Sequence, residues 1–392
     1  MRWVAVVGLV VGLLVTPAAA AGAAGCPGQA VPPGPPAAEE TAGVAPLAVP
    51  SEPVGGLGVC GDRVAGGGAV PAELDAVGPV AVGPGAVQPS PTASFVLADL
   101  DTGAVLAVRA PHARHRPAST IKVLTAIVAL RDLDPDLVVE GTAEDLRIDG
   151  SRAGIGPGGR YTVRQLLAGM LLNSGNDTAA ALARTLGGDA ATVDEMRATA
   201  ASLGALDTRP ATPSGLDGPG GASSAYDLAL LFRVALRDPL FATTIATPSV
   251  PFPGYGDVPG FELSNSSRFL TRYPGALGGK TGFTDAARHT FVGAAERDGR
   301  RLVVALVRGE QSPAPMTAQA AALLDLGFAL SADVEPLGVL VDEAPATTTP
   351  PVAADPGTPV PDDPAPVGPL LVGGTALLLA LLTAAALVRR RR

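Results

Sequence analysis

The sequence predicts an α+β domain in which an antiparallel sheet, its first and last strands adjacent, carries a layer of helices. Alternating apolar runs joined by tight-turn residues stand near the start of the domain, about Asp101-Thr102-Gly103, and near its end, about Asp298-Gly299. Between these hairpins the apolar residues recur at helical spacing.

The domain occupies residues 91–330 of 392, because the Gly 49 and Pro 39 are unevenly spread and concentrate in the flanks. Residues 1–24, with Arg2, the run "VAVVGLVVGLLV" and then small residues, have the form of a secretory signal peptide. The "AAGC" ending at Cys26 is a poor lipoprotein site, since Ala23 stands where a larger aliphatic is usual. Residues 25–90 are a Pro/Gly/Ala-rich low-complexity segment containing Cys26 and Cys60, which either form one disulfide or stay as two thiols. Residues 331–366 read as a Pro/Thr/Asp-rich linker and 367–388 as a transmembrane helix, followed by the Arg tail 389–392. Positive residues stay in the cytoplasm, so the expectation is an exported, single-pass membrane protein with its folded domain outside the cell. A net charge of −9 and 4% aromatics exclude a nucleic-acid partner, and no residue cluster implies a metal or another cofactor.

Within the domain, "ASFVLADLDTGAVLAVRA" gives the first hairpin. "PASTIKVLTAIVALRDL" turns helical, with Pro117 at its entry and Ile121, Leu124, Thr125, Val128 and Ala129 on one face. "TVRQLLAGMLLNSGNDTAAALARTLGG" is two helices interrupted at Ser-Gly-Asn, "SSAYDLALLFRVAL" is another, and Met316 to Leu330 is the last. "GIGPGG", Gly154 to Gly159, fits a dinucleotide-binding pattern formally, but Pro157 lies inside it and no helix follows, so it reads as a loop.

"YPGALGGKTGFTD" invites a phosphate-loop reading, which fails because Pro274 stands where the first glycine is required. The residues after it alternate as a hairpin, which puts Lys280 on a strand. Only two of the 28 basic residues are lysine, Lys122 and Lys280, and each lies in a short motif. Arginine is effectively never deprotonated, whereas a desolvated lysine can lose its proton and act as a base. Ser119 and Lys122 stand three apart at the start of a helix, one turn from each other, so the amine can reach the hydroxyl.

Ser119-x-x-Lys122, Ser174-Gly175-Asn176 and Lys280-Thr281-Gly282, in that order, form the triplet of penicillin-binding proteins and serine β-lactamases. With "LLNSGNDTAAALA", "ATPSGLDGPGGASSAYDLALL" and the stretch from Tyr273 to Glu310, the chain resembles the D-alanyl-D-alanine carboxypeptidase family over roughly residues 91 to 330. That resemblance implies the serine β-lactamase and DD-peptidase-like fold, a sheet of about five strands flanked by helices, with the three motifs meeting in one cleft. It implies Ser119 as the nucleophile on D-Ala-D-Ala, Lys122 as its base, Ser174 as the proton relay and Asn176 as an orienting group. Lys280 and Thr281 would receive the substrate carboxylate, Gly282 would let the backbone approach, and the amides of Ser119 and Phe283 would form the oxyanion hole. The implied partners are peptidoglycan stem peptides ending in D-Ala-D-Ala, and β-lactam antibiotics.

Two other functions compete. A serine β-lactamase of class A adds a glutamate that activates water, and no glutamate lies between Glu195 and Glu262. A membrane-tethered peptidoglycan-binding protein without catalysis has no need of a lysine at 122. His112 and His115 in "RAPHARHRPAS" read as a basic loop, and His289 as a weaker partner for Ser119 than Lys122. Arg288-His289, where relatives often have Gly-Tyr, suggests a more cationic strand facing the substrate.

Overall fold

Two hairpins far apart in sequence build one sheet. The computed structural model describes residues 92–341 apart from 110, 332, 333 and 335. The expected leader, Cys26, Cys60, most of the linker, the apolar run 367–388 and the Arg tail lie outside the described residues. Among the described residues no helix is long and apolar enough to cross a membrane.

The first hairpin is β1 (Ser94–Asp99) with β2 (Ala104–Arg109). Asp99 ties its turn by accepting from the amides of Asp101 and Thr102, and Gly103 supplies the positive φ that closes it. A 3₁₀ turn at Ala118–Ile121 leads into α1 (Lys122–Asp132). The short strands β3 (Val138–Glu140) and β4 (Arg160–Thr162) pair with each other and bracket a long loop that includes Gly154 to Gly159, as expected a loop with no helix opening from it. Next come α2 (Val163–Leu172), α3 (Asn176–Thr185), α4 (Asp189–Ser202), α5 (Ala225–Ala235) and α6 (Pro239–Ile245). The strands β5 (Ser249–Phe252) and β6 (Phe261–Ser264) form a side hairpin, followed by α7 (Arg268–Arg272). Strands β7 (Ala276–Thr284), β8 (Arg288–Arg297) and β9 (Arg300–Gly309), then α8 (Met316–Ala329) and the two-residue β10 (Gly338–Val339), complete the described chain.

The strand order is β10-β2-β1-β9-β8-β7, so β1 pairs antiparallel with β9 and the first and last hairpins share the sheet, as expected. Five long strands carry it, and β10 adds a short sixth at the β2 edge. Asp298 and Gly299 both take positive φ between the paired Arg297 and Arg300, the two-residue turn that suits a twisted hairpin. Successive side chains leave a strand on opposite faces, and the core follows that rule. Val303, Ala305 and Val307 of β9 pack under the helical layer of α1, α2 and α5, while Leu302, Val304 and Leu306 pack against α8.

The helices expected from periodicity are present as α1, α2, α3, α5 and α8. Helices α4, α6 and α7 are additional; α4 buries Thr192, Val193, Met196, Thr199 and Ala200, a weak apolar stripe, and α6 and α7 are only seven and five residues long. The side strands β3 to β6 run only three or four residues, too short for alternation to stand out.

Candidate active site

Ser119 lies in the 3₁₀ turn that feeds α1, so its side chain stands one turn before Lys122, and the Lys122 Nζ lies 2.8 Å from the Ser119 Oγ. The residue before it, Ala118, takes φ +47°, a left-handed conformation that an alanine adopts only when its surroundings impose it. Gly215 makes room for it on one side, because a methyl group there would run into the Ala118 carbonyl. From the other side Thr290 of β8 donates to the Pro117 carbonyl at 2.9 Å.

Lys122 is fully buried. Besides Ser119, its Nζ contacts Asn176 Oδ1 at 2.7 Å and the Ser214 carbonyl at 2.5 Å. Both of those oxygens can only accept. A neutral amine has two N–H bonds and one lone pair, so donating to these two oxygens leaves the lone pair facing the Ser119 hydroxyl. Burial holds the amine well below its usual range, the positive charge of Lys280 pushes it further down, and Asp177 partly offsets both.

The Ser-Gly-Asn element joins α2 to α3. Ser174 takes φ +59° and its Oγ accepts from Lys280 Nζ at 3.0 Å. Asn176 opens α3 and donates through Nδ2 to the Asp149 carbonyl at 2.7 Å, which turns its Oδ1 toward Lys122.

Lys280 sits on β7 opposite Val292 of β8, buried, and its Nζ also donates to the Thr281 carbonyl at 2.8 Å. Burial pulls its pKa down to about 7. Thr281 is half-buried on the same strand, Gly282 is buried and Phe283 is exposed. A methyl on Gly282 would clash with the Thr290 hydroxyl and lie 2.8 Å from the Ser119 amide nitrogen. The Lys-Thr-Gly strand therefore runs directly against the Ser119 backbone. Three hydrogen bonds gather these residues into two groups, Lys122 with Ser119 and Asn176, and Lys280 with Ser174.

These features place one hydroxyl beside a desolvated amine, a second hydroxyl beside a second amine, and a strand of small residues along the gap. The sequence also matches the family described as D-alanyl-D-alanine carboxypeptidase over residues 86–311, more than half of the chain. The chain belongs to the D-alanyl-D-alanine carboxypeptidase family. It is 50% identical over 249 residues to the D-alanyl-D-alanine carboxypeptidase DacB2 of Mycobacterium tuberculosis, a match covering 62% of this chain and 85% of that protein. Against DacF of Bacillus subtilis the identity is 31%, over 60% of this chain and 61% of that protein. The crystal structure of the D-alanyl-D-alanine carboxypeptidase from M. tuberculosis H37Rv superposes with a TM-score of 0.63 at 49% identity, covering 67% of this chain and all of that one. The Streptomyces K15 DD-transpeptidase superposes with a TM-score of 0.58 at 28% identity, over 62% of this chain and 98% of that one. The fold is accordingly that of the DD-peptidases.

One expectation changes, at Arg288, and two are sharpened. His112 and His115 lie on a loop with Arg114 and Arg116, as expected, but that loop is buried. His112 Nδ1 and Arg114 Nε each lie 3.0 Å from the Asp207 carboxylate, and His115, with neither ring nitrogen hydrogen-bonded, is pushed down to about 4 by burial and by Arg308. His115 also exchanges two backbone hydrogen bonds with Ser223, so this segment straps the chain leading to Ser119 onto the domain. Arg288 does not leave the strand more cationic, because Glu310 binds its guanidinium at 2.8 and 3.0 Å. His289 lies beside Gln311, 3.0 Å from Nδ1 to the amide nitrogen, and takes no part in the Ser119 and Lys122 pair.

The sequence left out Ser214, Asp149 and Asp177. The first lies in "ATPSGLDGPG", where the absence of a glutamate was legible but the use of a backbone carbonyl was not.

Proposed function

We propose that this chain is a serine-type D-Ala-D-Ala carboxypeptidase that removes the terminal D-alanine from peptidoglycan stem pentapeptides and is acylated by penicillins at the same serine. The observation that carries this reading is the Lys122 amine, buried, 2.8 Å from Ser119 Oγ and otherwise surrounded by carbonyl oxygens.

In acylation the Ser119 Oγ attacks the carbonyl carbon of the D-Ala-D-Ala bond while its proton passes to the Lys122 lone pair. The oxyanion that forms takes hydrogen bonds from the amides of Ser119 and Phe283, an arrangement worth about 3 kcal/mol per donor in comparable sites. The closeness of Gly282 to the Ser119 amide supports that pairing of strand and turn. The C–N bond then breaks, and the leaving nitrogen takes the proton from Lys122 by way of Ser174, which Lys280 holds in place, so that Lys122 is neutral again. Lys280 and Thr281 receive the carboxylate of the departing D-alanine, and a carboxylate beside Lys280 favours its charged form. Water completes the cycle by attacking the ester: Lys122 again takes the proton and returns it to the Ser119 Oγ as the acyl C–O bond breaks.

A serine β-lactamase must deacylate fast. The 212–216 segment instead turns the Ser214 carbonyl to Lys122, and a carbonyl cannot deprotonate water. A protein that only binds peptidoglycan has no use for a desolvated base beside a hydroxyl.

The same reading places the enzyme outside the cell, exported by residues 1–24 and held by the apolar run 367–388 with the Arg tail in the cytoplasm; the composition of those segments supports it. The test is incubation of the ectodomain with a labelled penicillin and, separately, with a pentapeptide ending in D-Ala-D-Ala. Release of free D-alanine together with a long-lived penicillin adduct on Ser119 is expected. A fleeting adduct marks a β-lactamase, and no adduct with no released D-alanine marks a binder.

A further inference from the structure

Beside Asn176, on the first turn of α3, the Asp177 side chain is fully buried and faces the loop that follows Ile148. Its carboxylate accepts four backbone amides: Ala153 at 2.9 Å, Gly154 at 2.7 Å, Ile155 at 3.1 Å and Thr178 at 2.8 Å. The loop answers with its carbonyls. Asp149 and Ser151 each accept from Asn176 at 2.7 Å, through the side-chain amide and the backbone N–H respectively, and Arg152 accepts from Asn173 at 2.7 Å.

Two glycines make room for this arrangement. A methyl on Gly175 would lie 2.7 Å from Asp177 Oδ1, and one on Gly150, which takes φ +83°, would lie 2.7 Å from Asn176 Nδ2. The middle residue of Ser-Gly-Asn is thus glycine because the next carboxylate folds back over it.

We propose that Asp177 is a positioning residue for the acylation step: its carboxylate clamps loop 149–155, and the clamped loop fixes the Asn176 amide with its oxygen toward Lys122. An amide group is nearly symmetric in shape, so sterics alone do not choose which end faces the lysine. The Asp149 carbonyl chooses, because it can only accept and therefore takes the Nδ2 end. A released loop frees the amide to turn, and its NH₂ then meets Lys122 with a donor where an acceptor is needed. Asp177 also acts on the lysine through its charge: the charged groups that bear on Lys122 are Lys280 from β7 and Asp177 from α3, of opposite sign.

This inference rests on Ser119 and Lys122 being nucleophile and base. The experiment follows acylation by labelled penicillin across pH in wild type, Asp177→Asn and Asn173→Ala, with thermal unfolding as a control on folding. Asp177→Asn is expected to lower the plateau rate by roughly 10- to 100-fold and to move the acid limb to lower pH, since the anion that favours protonated Lys122 is gone. Asn173→Ala cuts one loop bond without touching the charge, so it is expected to lower the plateau less and leave the limb in place. A folded Asp177→Asn protein with the wild-type rate and limb overturns the proposal, and a lowered plateau with an unmoved limb reduces Asp177 to a purely structural clamp and overturns its electrostatic part. Should Asp177→Asn fail to fold, hydrogen exchange on the wild type decides: the amides of Ala153, Gly154 and Ile155 are expected to exchange at least about 100-fold more slowly than in an unfolded chain. Exchange at the unfolded rate overturns the clamp. Absence of any wild-type acylation sinks the carboxypeptidase reading instead, and the exchange measurement still decides the clamp.

Discussion

Gly282 and Ser119 meet across the gap between β7 and the nucleophile turn, so closely that a methyl on Gly282 would stand 2.8 Å from the Ser119 amide nitrogen. That amide is one of the two proposed oxyanion donors, and its neighbour Thr290 ties the turn to β8 through the Pro117 carbonyl. Gly282→Ala is expected to push strand and turn apart by a few tenths of an ångström to an ångström. A displacement of that size at reacting atoms lowers rates by about 100-fold. The acylation rate by penicillin measures it; a rate within about twofold of wild type would show that the strand does not help shape the oxyanion site.

The two buried amines respond to pH in opposite ways. Acylation needs Lys122 neutral, so kcat rises as pH passes upward through its lowered pKa. Carboxylate binding needs Lys280 charged, and its pKa in the free protein is about 7, so kcat/KM for a stem peptide is expected to fall as pH rises through that value. An amidated analogue lacks the group that Lys280 grips and is expected to lack the alkaline limb. Lys280→Ala should raise KM for the free-carboxylate peptide by at least about 10-fold and leave KM for the amidated one unchanged, while the loss of the Ser174 contact lowers kcat for both. An equal rise in KM for both peptides would remove Lys280 from carboxylate recognition.

Beneath the strap that carries the nucleophile, Asp227 is fully buried beside Asp207. Burial, and after it the charge of Asp207, raises its pKa well above the ordinary carboxylate value. Between the ordinary value and the raised one the folded protein holds a proton that the unfolded chain has released. Stability therefore falls as pH rises through that window. Asp227→Asn is neutral throughout, keeps an oxygen for the Asp207 amide and Thr208 hydroxyl, and should lose this slope. Thermal unfolding at pH 5 and pH 8 checks it: the variant's Tm relative to wild type should rise with pH, and parallel curves would place no proton on Asp227.

The motifs were legible because each is local. Ser119 and Lys122 need one helical turn, and the Lys280 strand shows itself by alternation with its hairpin partner. Contacts made at long range were not. Nothing in "RAPHARHRPAS" signals that Asp207, over ninety residues away, draws His112 and Arg114 into the interior. Likewise Arg288 looked free until Glu310, on the chain beyond β9, closed on it. Ser214 contributes a backbone carbonyl, which every residue type possesses, so no residue pattern marks it. Asp177 sat in plain view after Ser-Gly-Asn, yet its value depends on three amides of a loop with no pattern of its own.

The central claim is that Lys122, neutral and buried, takes the proton of Ser119. The most direct measurement is the rate at which labelled penicillin acylates Ser119 in Lys122→Arg, with the modified peptide located by mass and folding checked by circular dichroism. Arginine keeps the charge and gives up the basicity. A folded variant is predicted to lose about 10²- to 10⁴-fold in acylation rate, the usual contribution of a general base. An undiminished rate at Ser119 would contradict the account.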